Sequence, residues 1–376
     1  MSSYTVGQSQ QDSLRNHDPV RYVRTLDQVT QLSSDERASL QTVAEKYAFR
    51  ANDYYLGLID WEDPFDPIRQ LVIPRPEELN DWGKLDASNE AVVTVTQGVQ
   101  HKYTDTVLLL CSEICGAYCR YCFRKRLFMQ NSGAVDLQAG LRYIAEHTEV
   151  SNVLLTGGDP LLLSTRRLVD VIRALREIPH VQVIRLGSKM PAFNPYRILE
   201  DDDLLAAFSE FSTAEKRIHL MAHFDHPREL TPAAIAGIDA CIRSGVVCVN
   251  QCPLIRGVND DSDVLHTMYD KLSYIGCTPY YLFQGRPTAG NLPYAVPIVK
   301  GWHIFQRAIC QGSGLARRAR FCMSHETGKV EVLAIDDQYI YLRYHQAKNA
   351  DDLGRFFICH RDDEAFWLDD LEEVVS

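Results

Sequence analysis

No run in this 376-residue chain approaches the roughly 18 consecutive apolar residues that a membrane-spanning helix needs. Met1 to Gln11 is polar and has no apolar core of the kind a secretory signal carries. Positive charge is scarce: 39 Lys and Arg stand against 50 Asp and Glu, a formal net charge of −11, which argues against a nucleic-acid binder relying on general basicity. Internal repeats and low-complexity tracts are absent. The cysteines number 11, an odd count with three crowded into one short loop, so a secreted disulfide scaffold does not describe them. A cytoplasmic protein with reduced thiols and a metal site is expected. What remains is ordinary globular usage, 45% hydrophobic and 24% charged. The length is about twice that of a common domain, yet within reach of one α/β barrel.

Three regions are expected: a helical N-terminal region (1–100), a barrel (101–290) and a C-terminal region (291–376). Ser34-Asp35-Glu36-Arg37 starts a helix to about Tyr47, with Leu40, Val43 and Ala44 on one face. Asp63-Pro64 and Asp66-Pro67 then break the chain. Beyond residue 100, apolar and partly β-branched runs recur at 106–110, 152–156, 181–186, 217–223, 246–251 and 278–284. Between them lie helix-period segments such as Leu168, Val171, Ile172 and Leu175. Six strands alternating with helices predict an α/β fold, a partial and open (β/α)6 barrel whose chemistry sits at the C-terminal strand ends. The acidic stretch from Asp351 to Ser376 reads as a solvated or dimer-edge tail.

The loop after the first barrel strand carries Cys115, Cys119 and Cys122 as C-x3-C-x2-C, followed by Arg124, Lys125 and Arg126. Three thiolates can hold three irons of a [4Fe–4S] cluster and leave the fourth iron for another ligand. The alternative is a zinc site completed by Cys111, although zinc loops more often pair their cysteines and no second pair lies nearby. At the end of the second strand stands Thr156-Gly157-Gly158-Asp159-Pro160. Its glycines permit close backbone approach, and its carboxylate can accept from an ammonium.

The cysteine loop and the GGD segment together resemble the radical S-adenosylmethionine (SAM) superfamily. That likeness implies that Cys115, Cys119 and Cys122 hold the cluster and that Gly157, Gly158 and Asp159 meet SAM. The chain further resembles the lysine 2,3-aminomutase family through "YYLGLIDWEDPFDPIRQLVIP", "GVQHKYTDTVLLL", "CRYCFRKR", "REIPHVQVIRLGSKMPAFNPYRI", "HFDHPREL", "NQCPLIRGVND", "PYYLFQ" and "GKVEV". This resemblance implies movement of an amino group from C2 to C3 of a free amino acid, with pyridoxal phosphate (PLP) as a third cofactor. It matches Lys329 to the lysine that binds PLP and Arg124 to the arginine that takes the substrate carboxylate. Ser188, Lys189, His223, Asn250 and Gln251 match positions around SAM and PLP: Ser188, His223 and Gln251 for SAM, Asn250 for PLP. A low-potential electron donor of the flavodoxin or ferredoxin type and a homo-oligomer are also implied.

Several positions depart from the family pattern. Lysine-specific members carry two aspartates that grip the distal ammonium, and the chain has Arg286 and Cys322 in their places. A cation there should reject a cationic side chain and attract an anionic one. The expected substrate is therefore glutamate-like or neutral in its side chain, with Arg286 in contact. Beside the PLP phosphate, Lys102 keeps the charge of a family arginine, and Thr106 loses that of another. A radical SAM enzyme without PLP is the first alternative, and a non-catalytic iron–sulfur protein the second.

Overall fold

The computed structural model describes residues 18–129 and 136–374; Met1 to Gln11 and the last two residues of the acidic tail lie outside it. Twelve strands form one open sheet in which every strand pairs with its neighbour in sequence. An antiparallel hairpin, β1 (Thr94–Thr96) and β2 (Val99–Tyr103), makes the first edge. The six expected strands follow as β3 (Thr106–Ser112), β4 (Asn152–Gly157), β5 (Val183–Ser188), β6 (Ile218–Ala222), β7 (Val247–Pro253) and β8 (Thr278–Phe283). They are all parallel. This is the partial, open barrel expected from the alternating pattern.

One expectation needs correction. A seventh parallel strand, β9 (Arg320–His325), continues the sheet by pairing with β8 in the register Tyr281↔Arg320 and Phe283↔Cys322. Its polar ends, Arg320 and His325, hid a short apolar centre. Three antiparallel strands complete the sheet: β10 (Gly328–Ile335), β11 (Tyr339–Ala347) and β12 (Phe356–His360). The acidic tail is thus partly built in, because Phe357 and Cys359 are buried and Val374 donates its amide to the Ile358 carbonyl at 2.8 Å.

Helices cover the sheet. N-terminal to it lies α1 (Ser34–Lys46), where Ser33 and Glu36 form a capping box. The crossover helices are α2 (Leu137–Glu146), α3 (Thr165–Glu177), α4 (Asp202–Phe211), α5 (Pro232–Arg243), α6 (Ser262–Tyr274) and α7 (Ile298–Gln311). In α3, Ser164 caps the start and Leu168, Val171, Ile172 and Leu175 face inward. Strands packed on both faces explain the apolar runs, with Val153 and Leu155 fully buried in β4. Among the described residues no helix is long and apolar enough to cross a membrane.

The N-terminal region clamps the cysteine loop rather than preceding it passively. Glu78, fully buried, takes Arg120 through Nη2 at 2.7 Å and Nε at 3.0 Å, and also accepts from Tyr294 at 3.0 Å. Arg120 Nη1 donates to the Ala48 carbonyl at 3.1 Å, and its amide to Leu71 at 2.9 Å. Removing one partner of a buried ion pair strands the other charge, at a cost of about 3–5 kcal/mol. Glu78→Gln should therefore lower unfolding free energy by about that amount, read by denaturant titration.

Candidate active site

A cavity of about 360 Å³ opens at the C-terminal ends of the parallel strands. Its upper wall is the cysteine loop after β3, where Cys115, Cys119 and Cys122 all face the space. The loop is held from outside, by Arg50 Nε donating to the Cys115 carbonyl at 2.8 Å and by the Tyr118 amide bonding to Arg50 at 2.9 Å. Burial, together with Asp159 and the neighbouring thiols, pushes the Cys115 thiol well up. Cys111 is buried apart from this group, its Sγ 3.5 Å from the Thr156 carbonyl, and it does not line the cavity. Among the described residues no set of three or more His, Cys, Asp or Glu side chains converges on a single ion. A cuboidal cluster makes no such demand, since each thiolate takes its own iron.

The GGD segment at the end of β4 packs directly on that loop. The Gly158 amide donates to the Ser112 carbonyl at 2.5 Å, and the Asp159 amide to Ile114 at 2.8 Å. Gly157 sits at φ 109°, and a Cβ on Gly158 would meet the Ile114 backbone nitrogen at 2.6 Å. Only glycine fits there. The three thiols and this flush backbone suit a cluster with SAM beside it.

Asp159 is less free than its motif suggests. Its carboxylate accepts from Ser188 Oγ at 2.8 Å, the Leu161 amide at 3.0 Å and the Lys189 amide at 2.9 Å. Burial still raises it to about 6 against those bonds. Ser188 is likewise occupied, donating to Asp159 and accepting from the Met190 amide at 3.0 Å. Lys189 is neutralised internally by Asp225 at 2.7 Å and Glu229 at 2.6 Å. Against the push of burial, His223 and Lys189 hold Asp225 far below the usual carboxylate range. His223 and Gln251 line the cavity. Asn250 does not, which corrects its expected contact with PLP: its amide is locked to the Phe224 backbone, accepting at 2.8 Å and donating at 3.1 Å.

The lower cavity is rich in cations. Lys329, on β10 opposite Ser324, reaches in over the Tyr281 ring, 4.6 Å from its centroid. Burial and then Arg185 depress its ammonium to about 8. Lys102 donates to the His325 carbonyl; burial, Arg286 and Lys329 lower it to about 7. Arg286 points inward, bonds Ser88 and lies 4.0 Å over the Phe123 ring. Arg124 is tied down more than expected. Its Nε meets Glu90 at 2.7 Å, Nη1 meets Thr156 at 3.2 Å and Nη2 meets Gln100 at 3.3 Å. Thr106 lines the space as an uncharged group, while Cys322 is buried and does not line it.

Sequence reasoning missed Glu90, Ser88 and Arg185. Ser88 lies in a turn and Glu90 opens a four-residue helix, too short to show a period. Arg185 did leave a signal, a lone charge inside the apolar run of β5.

A scan against protein-family models finds no match. Individual relatives are clear. The chain is 48% identical over 360 residues to a provisionally named L-lysine 2,3-aminomutase of Aquifex aeolicus (strain VF5), covering 95% of this chain and 96% of that protein. It is 34% identical to the L-lysine 2,3-aminomutase of Clostridium subterminale (76% of this chain, 69% of that protein). It is 31% identical to the glutamate 2,3-aminomutase of Clostridioides difficile (strain 630) (78% and 69%). A radical SAM methyltransferase of Sphaerobacter thermophilus superposes over 60% of this chain and 68% of that chain at 15% identity and a TM-score of 0.39, too distant to bear on function. The chain belongs to the lysine 2,3-aminomutase family of radical SAM enzymes. It is an isomerase of the aminomutase kind.

The flush packing of Gly158 on the cysteine loop generates a test. Gly158→Ala forces Ile114, and Cys115 with it, to move; overpacking of this kind costs about 1–3 kcal/mol. Iron bound per chain after anaerobic reconstitution should fall to less than about half that of the unaltered protein. Full iron loading would show that the loop tolerates the shift.

Proposed function

We propose that the chain moves an amino group from C2 to C3 of a free amino acid whose side chain is acidic or neutral, using a [4Fe–4S] cluster, SAM and PLP. The observation that carries this reading is the charge of the cavity wall. Lys329, Lys102, Arg286 and Arg185 all line it, while its carboxylates, Glu90 and Asp159, are already bonded within the protein. A second substrate ammonium would find no free carboxylate to pair with; a second carboxylate would find Arg286.

Cys115, Cys119 and Cys122 would hold the cluster, and the Gly157–Gly158 backbone would meet SAM beside it. Lys329 would bind PLP, and Lys102 would stand by its phosphate. Together these groups supply reductive formation of a carbon radical and an electron-withdrawing partner for the migrating nitrogen. The protein's own contribution is position and exclusion. Arg124 has spent three of its five N–H groups on Glu90, Thr156 and Gln100, leaving the others for a substrate carboxylate. Its fixed fork would set one end of the substrate and Arg286 the other. The apolar wall of Leu108, Leu154, Met221 and Leu254 keeps water from a reactive carbon centre. The electron comes from a low-potential flavodoxin- or ferredoxin-type donor.

Incubation of reconstituted protein with PLP, then borohydride, should place a phosphopyridoxyl group on Lys329 by peptide mass mapping. No adduct at saturating PLP would move the reading to a PLP-free radical reaction. Because the Lys329 amine must be unprotonated to react and its ammonium titrates at about 8, the trapping rate should rise with pH and level off above that value. Arg286→Gln should raise KM for a dicarboxylic substrate about 10–100-fold with a smaller change in kcat. An unchanged KM would remove Arg286 from substrate recognition.

A further inference from the structure

Strand register sets Leu108 of β3, Leu154 of β4 and Arg185 of β5 side by side, and all three line the cavity. A guanidinium therefore stands in an aliphatic stretch of wall, flanked in β6 by His219. Arg185 makes no hydrogen bond or ion pair with any described residue, and its Nε is buried without a partner. Arg185 is half-buried, and leaving its Nε unsatisfied has a cost that a purely structural role would not return. The guanidinium is also the main charged neighbour that holds the Lys329 ammonium down, which places the two groups around the same space.

The other cations of the lower cavity are engaged. Lys102 gives a donor to the His325 carbonyl, Arg286 bonds Ser88 and stacks on the Phe123 ring, and Arg124 gives three donors to Glu90, Thr156 and Gln100. Thr106, where the family resemblance implies an arginine beside the phosphate, is uncharged, and its hydroxyl donates to Asp105 at 3.0 Å. Among the described residues, Arg185 is a guanidinium of this cavity whose Nε is buried without a partner.

We propose that Arg185 grips the phosphate of the cofactor that Lys329 binds, supplying the positive charge that Thr106 does not. The assignment rests on the PLP reading above. A guanidinium fork offers two parallel N–H donors to a phosphate, and the dianion in turn offsets the surplus charge of the wall.

The test compares PLP with pyridoxal, which lacks the phosphate, on the full-length reconstituted protein. Equilibrium affinity is followed by absorbance, and borohydride trapping on Lys329 provides a second readout. Unaltered protein should bind PLP more tightly than pyridoxal. In Arg185→Gln, PLP affinity should fall about 10–100-fold and pyridoxal affinity stay within about twofold, so that the preference collapses. Arg185→Lys, which keeps the charge and loses the fork, should fall between the two and serves if the glutamine variant does not fold. Parallel weakening of both ligands would mark Arg185 as a structural residue and overturn the assignment, as would an unchanged ratio in both variants. Failure of the unaltered protein to bind PLP would instead sink the cofactor reading itself, and this inference with it.

Discussion

A buried charge needs a partner, and that constraint organises this molecule more than any other. Where the protein supplies both members the result is rigid scaffolding: Glu78 with Arg120, Asp225 and Glu229 with Lys189, Glu90 with Arg124. These three sets fasten the N-terminal region, the strand ends and the cysteine loop to one another. Where the protein supplies only cations, around Lys329, the deficit has to be met by what binds. Lys329, Lys102, Arg286 and Arg185 are all held down first by burial; Arg286 and Lys329 further depress Lys102, and Arg185 and Arg286 further depress Lys329. A phosphate and carboxylates relieve that repulsion; a cationic ligand would add to it.

The fold explains why the cations meet. Parallel strands bring their C-terminal ends to one side, so residues far apart in sequence reach a common space. Lys329 would lie outside such a barrel if the sheet stopped at β8. The seventh parallel strand, β9, and the tight hairpin into β10 carry it back across Ser324 to the cavity. Gly328 is needed at that hairpin because a Cβ there would press on the Ala347 Cα at 3.0 Å. Covering the opposite side, the segment before β1 brings Ser88 and Glu90 over Arg286 and Arg124.

Local pattern made much of this legible. The β-branched runs and the period of α3 marked six strands and their helices, because both signals arise from the residues that form each element. The cysteine loop and GGD segment were legible for a similar reason: thiolate ligation and close backbone approach leave residue types at fixed spacing. Other features carry no local trace. Nothing in Asn250 shows that its amide turns away to Phe224, or in Asp159 that Ser188 and Lys189 bond its carboxylate, since both facts depend on a neighbouring strand. The strand β9 was hidden by its polar ends, and β12 by the acidic residues around it. Arg286 shows the division well: its identity announced a change in charge, and only the packing on Phe123 placed that charge in the cavity.

Overall identity and substrate choice are separable in such an enzyme. Relatives named for lysine and for glutamate are 34% and 31% identical to this chain. The substrate proposed above rests on a few charged groups that line the cavity, Arg286 among them. A guanidinium where the family resemblance implies a carboxylate differs by two units of charge in a desolvated space. Glu90 cannot stand in for the missing anion, because Arg124 and Arg126 hold its carboxyl down near 2 and occupy both oxygens. A lysine side chain entering this cavity would find both oxygens of Glu90 already taken by those arginines.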